Sequence, residues 1–454
     1  MRRVFPLLFA VIAAALLAAA TACTPRDNAA VSTPAGASPT LTVTTPAPAN
    51  ATPTPGAPAN ATATPQPLPP ALQQMLEDVA GLRQLPSPPA LDAYVIHRSE
   101  LTATLEDLIT DEDMAWFHNT TTLYRLLGHF RDDQDYYSIY QSFGTQAILG
   151  FYAPDRDALW VVTDGDPSRG FDGLTTAELE TLAHELLHAI QDYNFDLDGV
   201  YRAIADNLDR DLAWTAIVEG DAVVHESLYS QRYLARSFGG RLFLLAHVPA
   251  AQDVPPSIIR ELYMPYTTGA DAVQRFVSSA GLEAVDRLLA DPPGGTTLIL
   301  HPTLLGTGWH TENVTLPDIA SALGQGWSRE SGGSLGEFHL QNYLRLELSS
   351  NQAISAADGW AGDRYDVYVH DGDSVALFRL RFAGDDEADE FLQAHAGFLD
   401  RRSTGQRSDG DFSIVTLTTG KTTVVAPRQG RDVLFVIGST EAVARAAMTA
   451  IAEQ

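Results

Sequence analysis

The chain carries one short motif with a definite chemistry, His184-Glu185-Leu186-Leu187-His188. Residues four apart in an α-helix lie on one face, one turn apart, so both imidazoles can reach a single metal ion. Such ligands normally bind zinc, and a glutamate after the first histidine can take a proton from a water that the metal activates. A surface helix with two solvated histidines is the alternative, but it leaves the glutamate unexplained. We therefore predict His184 and His188 as zinc ligands and Glu185 as the catalytic base.

The flanking residues predict that this motif lies on a helix anchored through its other face. Thr175 and Glu178 have the spacing of a capping box, and Leu174 and Leu179 have that of a hydrophobic staple. The apolar positions fall within about 140° of arc, at residues 179, 182, 183, 186, 187 and 190. The histidines lie on the opposite side of the helix.

The N-terminal residues indicate an exported protein held at a membrane. Two arginines precede an apolar run, and small residues lead to Cys23, the only cysteine, which is typical of a secretory signal over residues 1–22. Cys23 stands where a bacterial lipobox places its lipidated residue; an ordinary signal peptide with an incidental cysteine is the alternative. Residues 23–70 contain too few large apolar residues to pack. We predict a lipid anchor, a disordered tether and a location on the outer face of the bacterial cytoplasmic membrane.

Composition limits the partners and the number of domains. The chain has 57 acidic and 29 basic residues, a net charge of −28 at pH 7, which opposes binding to nucleic acid or to an anionic lipid surface. A single cysteine excludes an internal disulfide, so an exported chain depends on its hydrophobic core. The length after the tether is too great for one core, which predicts two domains over residues 71–324 and 325–454.

The pattern before the motif predicts helices followed by a β-hairpin. Helical spacing of large apolar residues covers residues 71–83, 91–109 and 113–130. Two β-rich runs within residues 146–163 flank a turn of Pro and Asp residues, which is typical of a hairpin.

This order of strand, turn, strand and His-Glu-x-x-His helix resembles the zincin metallopeptidases, and within them the glutamate-ligand group, the gluzincins. The resemblance implies an α+β protein with a mainly helical, zincin-like catalytic domain that hydrolyses peptide bonds. It also implies that one strand of the 146–163 hairpin forms the sheet edge along which extended peptide binds. A purely structural hairpin is the alternative.

The gluzincin pattern requires a third ligand, a glutamate from a later helix. Residues 212–229 are the candidate helix, and Glu219 lies there in an apolar run. A buried carboxylate is costly unless a cation or hydrogen bonds compensate it, and a metal would supply the cation. Gly220 permits close approach of another backbone segment. We predict Glu219 as the third ligand.

Two other interpretations of this segment stay open. Glu226, two turns further on the same face, is the reserve ligand, and Glu219 could instead form an ion pair with Arg210 or Arg232. Asp221 is either a carboxylate that orients a ligand histidine or a solvated surface residue.

Peptide hydrolysis of this type also needs a donor that stabilises the oxyanion. Tyr266, in a Pro-Tyr turn after the ligand helix, is the first candidate, and His225 and Tyr263 are alternatives. Each of the three could instead be a packing residue. His301 is predicted as a loop or hinge residue rather than a ligand.

The chain also resembles a set of exported bacterial proteins with the same order of short motifs. The resemblance spans roughly residues 75–400 and implies co-folding of these segments, not a substrate. Beyond the two segments that supply the zinc ligands, the matching pieces lie within residues 264–269, 281–288, 292–293, 299–302, 335–337 and 356–364.

From residue 325 the pattern changes to that of an antiparallel α+β domain with helices on one side of the sheet. The predicted helices cover residues 335–348, 385–399 and 440–451, and the predicted strands cover residues 365–369, 374–382, 412–417, 422–426 and 432–437. Asp363 and Arg364 are expected to form an ion pair at a turn. This region contains no recognisable set of catalytic residues, so we interpret it as a packing or recognition module.

Together these observations predict a membrane-tethered, extracytoplasmic zinc peptidase acting on peptide or protein substrates. His184, His188 and Glu219 would hold Zn²⁺, although cobalt or manganese would also fit such ligands. An alternative of another class is a non-catalytic surface-binding or assembly lipoprotein that retains a structural zinc. A zinc hydrolase acting on another amide, such as cell-wall peptide, is a third possibility.

Overall fold

The computed structural model describes residues 64–172, 174–234 and 254–452. The predicted signal peptide, Cys23 and the tether up to residue 63 lie outside these residues. Within them the protein has a mixed α+β fold, as predicted. None of the described helices is long and apolar enough to cross a membrane.

A helical region precedes residue 301. Its α-helices are α1 (Pro70–Arg83), α2 (Leu101–Leu108), α3 (Asp111–Leu127), α4 (Tyr136–Ala147), α5 (Thr176–Phe195), α6 (Leu197–Ile204), α7 (Leu208–Tyr233), α8 (Pro256–Met264), α9 (Ala270–Ala280), α10 (Leu282–Ala290) and α11 (Thr297–Leu300). The predicted helices over residues 71–83 and 113–130 are confirmed as α1 and α3, and the predicted ligand helix over 212–229 lies within α7.

A small sheet lies beside these helices, in the order β1-β2-β4-β3. Its strands are β1 (Gln66–Pro67), β2 (Asp92–His97), β3 (Gly150–Ala153) and β4 (Ala158–Thr163). The antiparallel pairing of β3 with β4, with Tyr152 opposite Leu159, confirms the predicted hairpin. It also places β3 at an edge of the sheet.

Two predictions near this sheet were wrong. The helix expected over residues 91–109 is strand β2 in its first half, because pairing with β4 overrides a helix-compatible spacing of apolar residues. The tether was expected to be disordered up to residue 70, but residues 66–67 pair with β2 and α1 begins at Pro70.

Helix α5 carries the motif and begins as predicted. The Thr175 side chain accepts a hydrogen bond from the Glu178 N–H at 3.3 Å, and the Glu178 carboxylate accepts one from the Thr175 N–H at 2.6 Å. Its apolar stripe is buried against α1 and the β3–β4 hairpin in one cluster, with the members Leu182, Ala183, Leu186, Leu187 and Ile190. The helix is therefore fixed through this stripe.

The C-terminal region is built on a seven-stranded antiparallel sheet in the order β5-β6-β7-β11-β10-β9-β8. Its strands are β5 (Ser328–Gly333), β6 (Trp360–His370), β7 (Asp373–Phe382), β8 (Ser403–Asp409), β9 (Phe412–Leu417), β10 (Thr422–Val425) and β11 (Asp432–Gly438). All the predicted strands are confirmed. Only the two edge strands, β5 and β8, escaped prediction, because edge strands are largely solvated and these two are almost wholly polar.

The helices of this region are α12 (Ala320–Leu323), α13 (Gly336–Leu344), α14 (Ser350–Ala357), α15 (Asp385–Arg402) and α16 (Glu441–Ala452). They cover both faces of the sheet, so the prediction of helices on one side was wrong. Neighbouring residues of a strand point to opposite faces: Phe378 packs in a cluster with Phe391 of α15, and Leu377 packs in another with Met448 of α16. The run of consecutive apolar residues in β7 was the signal for two buried faces.

The hydrophobic core continues across the predicted domain boundary. Phe117 and Tyr124 of α3 belong to the same buried cluster as Phe378 and Phe435 of the large sheet. The boundary at residues 324 and 325 stays a prediction, and the helical and sheet regions share this core.

The ion pair expected between Asp363 and Arg364 was wrong, because both lie in β6 and adjacent strand residues point apart. Arg364 pairs with Asp366 at 2.6 Å, whereas Asp363 is buried and accepts hydrogen bonds from the Leu335 and Gly336 N–H groups.

Candidate metal centre

Three predicted ligands meet between α5 and α7. Nε2 of His184 lies 3.0 Å from Oε2 of Glu219, and Nε2 of His188 lies 3.4 Å from Oε1 of the same carboxylate. The possible ligand atoms of the three residues all lie within 4.8 Å of one another, so the group could hold a metal ion. All three side chains are buried, with at most 1 % of each residue exposed.

The other ring nitrogen of each histidine has its own partner. Nδ1 of His184 lies 3.2 Å from the Glu226 carboxylate, and Nδ1 of His188 lies 2.9 Å from Oε1 of Gln191. Such partners fix the orientation of a ligand imidazole. Glu226, the reserve ligand, therefore contacts His184 on the ring nitrogen that faces away from Glu219.

Behind Gln191 lies a buried network that also includes a side chain from α1. Gln191 donates hydrogen bonds to the Val218 carbonyl and to the Asp221 carboxylate, both at 3.0 Å. Nε of Arg83 donates to the same Asp221 oxygen at 2.8 Å. Asp221 is therefore buried rather than solvated, and it contacts His188 only through Gln191; its orienting role stays a prediction.

Sequence reasoning missed Arg83 altogether. The arginine is fully buried at the end of α1 and lies 138 residues from its partner Asp221. It lies on the apolar stripe of that helix, four residues after Val79, where a charged residue requires a buried partner. An arginine on the apolar stripe of a helix was therefore the sequence signal for this buried ion pair.

Glu185 faces the ligand group from the motif helix. Its Oε2 accepts a hydrogen bond from the Tyr152 N–H of β3 at 2.9 Å. Its Oε1 is buried and has no hydrogen-bond partner among the described residues. Burial raises the pKa of Glu185 to about 7, against the opposing effect of His188 and His184. One oxygen is therefore fixed and the other can accept a proton.

Tyr266 lies close to the same carboxylates, in a π-helical turn over Pro265–Gly269 between α8 and α9. Its ring stacks on that of His184, with centroids 6.2 Å apart and planes at 20°. Burial raises the pKa of the Tyr266 hydroxyl well above its usual value, and the charges of Glu219 and Glu185 raise it further. The hydroxyl therefore stays protonated.

Close backbone packing holds this turn against α7. A Cβ on Gly220 would lie 2.6 Å from the carbonyl carbon and oxygen of Gly269, and a Cβ on Gly269 would lie 2.4 Å from the Ala216 carbonyl oxygen. These contacts confirm the close approach predicted at Gly220. A larger residue at either position would force the turn that carries Tyr266 and α7 apart.

The charges of the ligand group are mutually dependent. Burial lowers the pKa of His184, but hydrogen bonds to Glu219 and Glu226 outweigh this effect and raise that pKa to about 10. Burial raises the pKa of Glu219, but the neighbouring His188 and His184 lower it to about 2. A negative carboxylate thus requires positive charge at this point, which protons or a metal ion can supply.

The alternative candidates for the oxyanion donor and for an ion pair with Glu219 have other partners. Nδ1 of His225 is 2.9 Å from the Asp221 carbonyl oxygen, and Tyr263 packs against the large core cluster. Neither Arg210 nor Arg232 forms an ion pair with Glu219: Arg210 donates to the Pro292 carbonyl, and Arg232 lies over the Tyr233 ring.

Comparison with known families identifies only the C-terminal region. A domain of unknown function (DUF8575) matches residues 325–448. No curated protein and no solved structure matches the chain. The match covers the large sheet and leaves the centre formed by His184, His188 and Glu219 outside it.

Proposed function

We propose that this protein is a zinc-dependent peptidase whose centre is formed by His184, His188 and Glu219. The donor set supports it: two Nε2 atoms and a carboxylate converge, while each Nδ1 contacts another side chain. Buried Oε1 of Glu185, which lacks a partner among the described residues, supports it further. The residues present therefore fit a divalent cation.

When bound, zinc acts as a Lewis acid that lowers the pKa of a water molecule to about 7 and polarises a carbonyl group. His184, His188 and Glu219 would hold the ion, and Glu226 and Gln191 would keep the two imidazoles in the ligating orientation.

The remaining chemistry is assigned to two side chains. Glu185, held through Oε2 by the Tyr152 N–H, takes a proton from the attacking water on Oε1 and passes it to the leaving amine. Burial, which raises the pKa of Glu185, makes its carboxylate a better proton acceptor. Tyr266, which stays protonated, donates a hydrogen bond to the oxyanion. Edge strand β3 is the proposed site of pairing with extended substrate.

The deciding experiment compares Glu185→Gln with wild type on a peptide library read by mass spectrometry. We expect the variant to keep its zinc and lose cleavage, because glutamine cannot accept the proton. Glu178→Gln on the same helix is the matched control, since glutamine also serves in a capping box. A Glu185→Gln variant that cleaves as fast as wild type would rule out this base.

The burial of the centre favours a second candidate, a non-catalytic lipoprotein that retains a structural zinc. The three ligands and every residue of β3 are buried, whereas a peptide must reach both. Cobalt substitution distinguishes the two functions. If the visible absorption spectrum of the bound cobalt changes when a small anion is added, one coordination position is exchangeable, which supports the peptidase. If the spectrum does not change and no library peptide is cleaved, the structural role is supported. Export and anchoring through Cys23 form part of either proposal.

A further inference from the structure

A second group of possible metal ligands lies at the junction of the helical and sheet regions. It consists of His301, Glu337 and Asp358, whose ligand atoms all lie within 4.8 Å of one another. His301 follows α11, Glu337 lies in the first turn of α13, and Asp358 directly follows α14. Three separate segments of the chain thus place an imidazole and two carboxylates at one point.

Within this group His301 and Glu337 are in direct contact, and an oxygen of Asp358 lies within 4.8 Å of both. Nε2 of His301 lies 2.9 Å from Oε1 and 3.1 Å from Oε2 of Glu337, so it faces the carboxylate as a whole. Gln341 donates a hydrogen bond to Oε1 of Glu337 at 3.0 Å, which holds that carboxylate in place. Oδ1 of Asp358 accepts from the Gly359 N–H at 3.0 Å.

The group is open on one side and closed on the other. Glu337 is buried, with 1 % of the residue exposed, whereas the His301 side chain is 37 % exposed and Asp358 is exposed. Two carboxylates with one imidazole give the group a negative charge that a bound cation would offset. The open side leaves room for water molecules to complete the coordination of an ion.

We propose that His301, Glu337 and Asp358 bind a divalent first-row cation, such as Zn²⁺ or Mn²⁺, in rapid exchange with solvent. One nitrogen and two oxygen ligands suit this class better than Ca²⁺ or Mg²⁺, which prefer oxygen alone. The ion joins His301, which directly follows the last helix of the helical region, to the DUF8575-matching region, which supplies Glu337 and Asp358. It therefore acts as a clamp whose occupancy depends on the free metal concentration around the protein.

The test counts bound ions on the purified full-length chain after equilibrium dialysis against Zn²⁺ and, separately, Mn²⁺. His301→Asn and Asp358→Asn should each hold one ion fewer per chain than wild type. Asparagine at position 358 can still accept the Gly359 hydrogen bond, so this exposed change should leave the fold intact. The matched control is His118→Asn, which removes an exposed histidine paired with one carboxylate, Glu330, at 3.3 Å.

A difference of one bound ion between wild type and these variants supports this site whether or not the buried centre is filled. The result of this test is therefore independent of the proposed peptidase. A second measurement is the thermal shift on adding Mn²⁺: wild type and His118→Asn should rise in Tm, and Asp358→Asn should rise less. The proposal is overturned if both His301→Asn and Asp358→Asn hold as many ions as wild type. An equal loss in His118→Asn would also overturn it, since that result indicates non-specific surface binding.

Discussion

Two fully buried histidines in different regions of the molecule have opposite electrostatic surroundings. His184 lies between the carboxylates of Glu219 and Glu226, which raise its pKa to about 10 in spite of burial. His395 lies among aromatic rings in the core of the sheet region, and burial lowers its pKa to about 3. Burial alone therefore does not decide the charge of a histidine; the partners placed around it do.

The same difference extends to the two regions. The helical region buries charged side chains in a connected network around Glu219 and Asp221, whereas the core of the sheet region around His395 is apolar. A buried network of this kind is costly to build, because its members lose hydration, and it is retained where a site requires it. This contrast is the strongest physical reason to place function in the helical region.

Replacing Glu219 with glutamine should produce the largest effect. The change removes one ligand and leaves two buried histidines without their shared negative charge, so we expect loss of bound zinc. In metal-free protein the free energy of unfolding should fall by about 3–5 kcal/mol. Metal analysis and urea denaturation measure the two effects. Glu178→Gln, at the start of α5, is the control and should keep the metal; full zinc retention in Glu219→Gln would remove Glu219 from the ligand set.

Asp221→Asn should come next, because it leaves Arg83 buried with only its partner Asp286, 2.5 Å away. We expect a loss of about 3 kcal/mol in stability. Zinc affinity should fall by about 10–100-fold, since the support of His188 through Gln191 is weakened. Competition with a chelator measures the affinity. Asp286→Asn, at the exposed end of the pair, should change affinity much less; equal effects would show that the network does not orient His188.

His395→Phe tests the other side of the contrast through the pH dependence of stability. The folded-state pKa of about 3 lies below the ordinary value of 6.5, so the unfolded chain binds the extra proton between these values. The stability contribution is complete above pH 6.5 and is lost as the pH falls through that window. Between pH 4 and 6, removing this group should lower the slope of the unfolding free energy against pH by about 1.4 kcal/mol per pH unit.

Urea denaturation at several pH values provides the slope, with His370→Phe as a control because His370 is only partly buried. An unchanged slope in His395→Phe would mean that this histidine is not held neutral by its surroundings.

Thr175→Ala should have the smallest effect. It removes the side-chain hydrogen bond to the Glu178 N–H at the start of α5, which should cost about 1 kcal/mol. Zinc content should not change, because the packed stripe of α5 still positions the histidines. A thermal melt checks the stability, and metal analysis checks the site; loss of zinc here would show that the cap, rather than the packing, fixes the motif.

Much of this site was predictable because its signals are local. The four-residue spacing of His184 and His188, the capping pair Thr175 and Glu178, and Glu219 in its apolar run each reflect helix periodicity over a few turns. The strands of the C-terminal sheet were predictable for the same reason, except for the polar edge strands.

The tertiary structure alone decided which distant residues meet. Arg83 reaches Asp221, Tyr152 holds Glu185, and His301 meets Glu337, although each pair is separated by at least 33 residues. It also decided that helices cover both faces of the large sheet and that residues 92–97 form a strand. The physical reason is that local periodicity specifies which face of an element is apolar, whereas contacts between elements depend on packing of the whole chain.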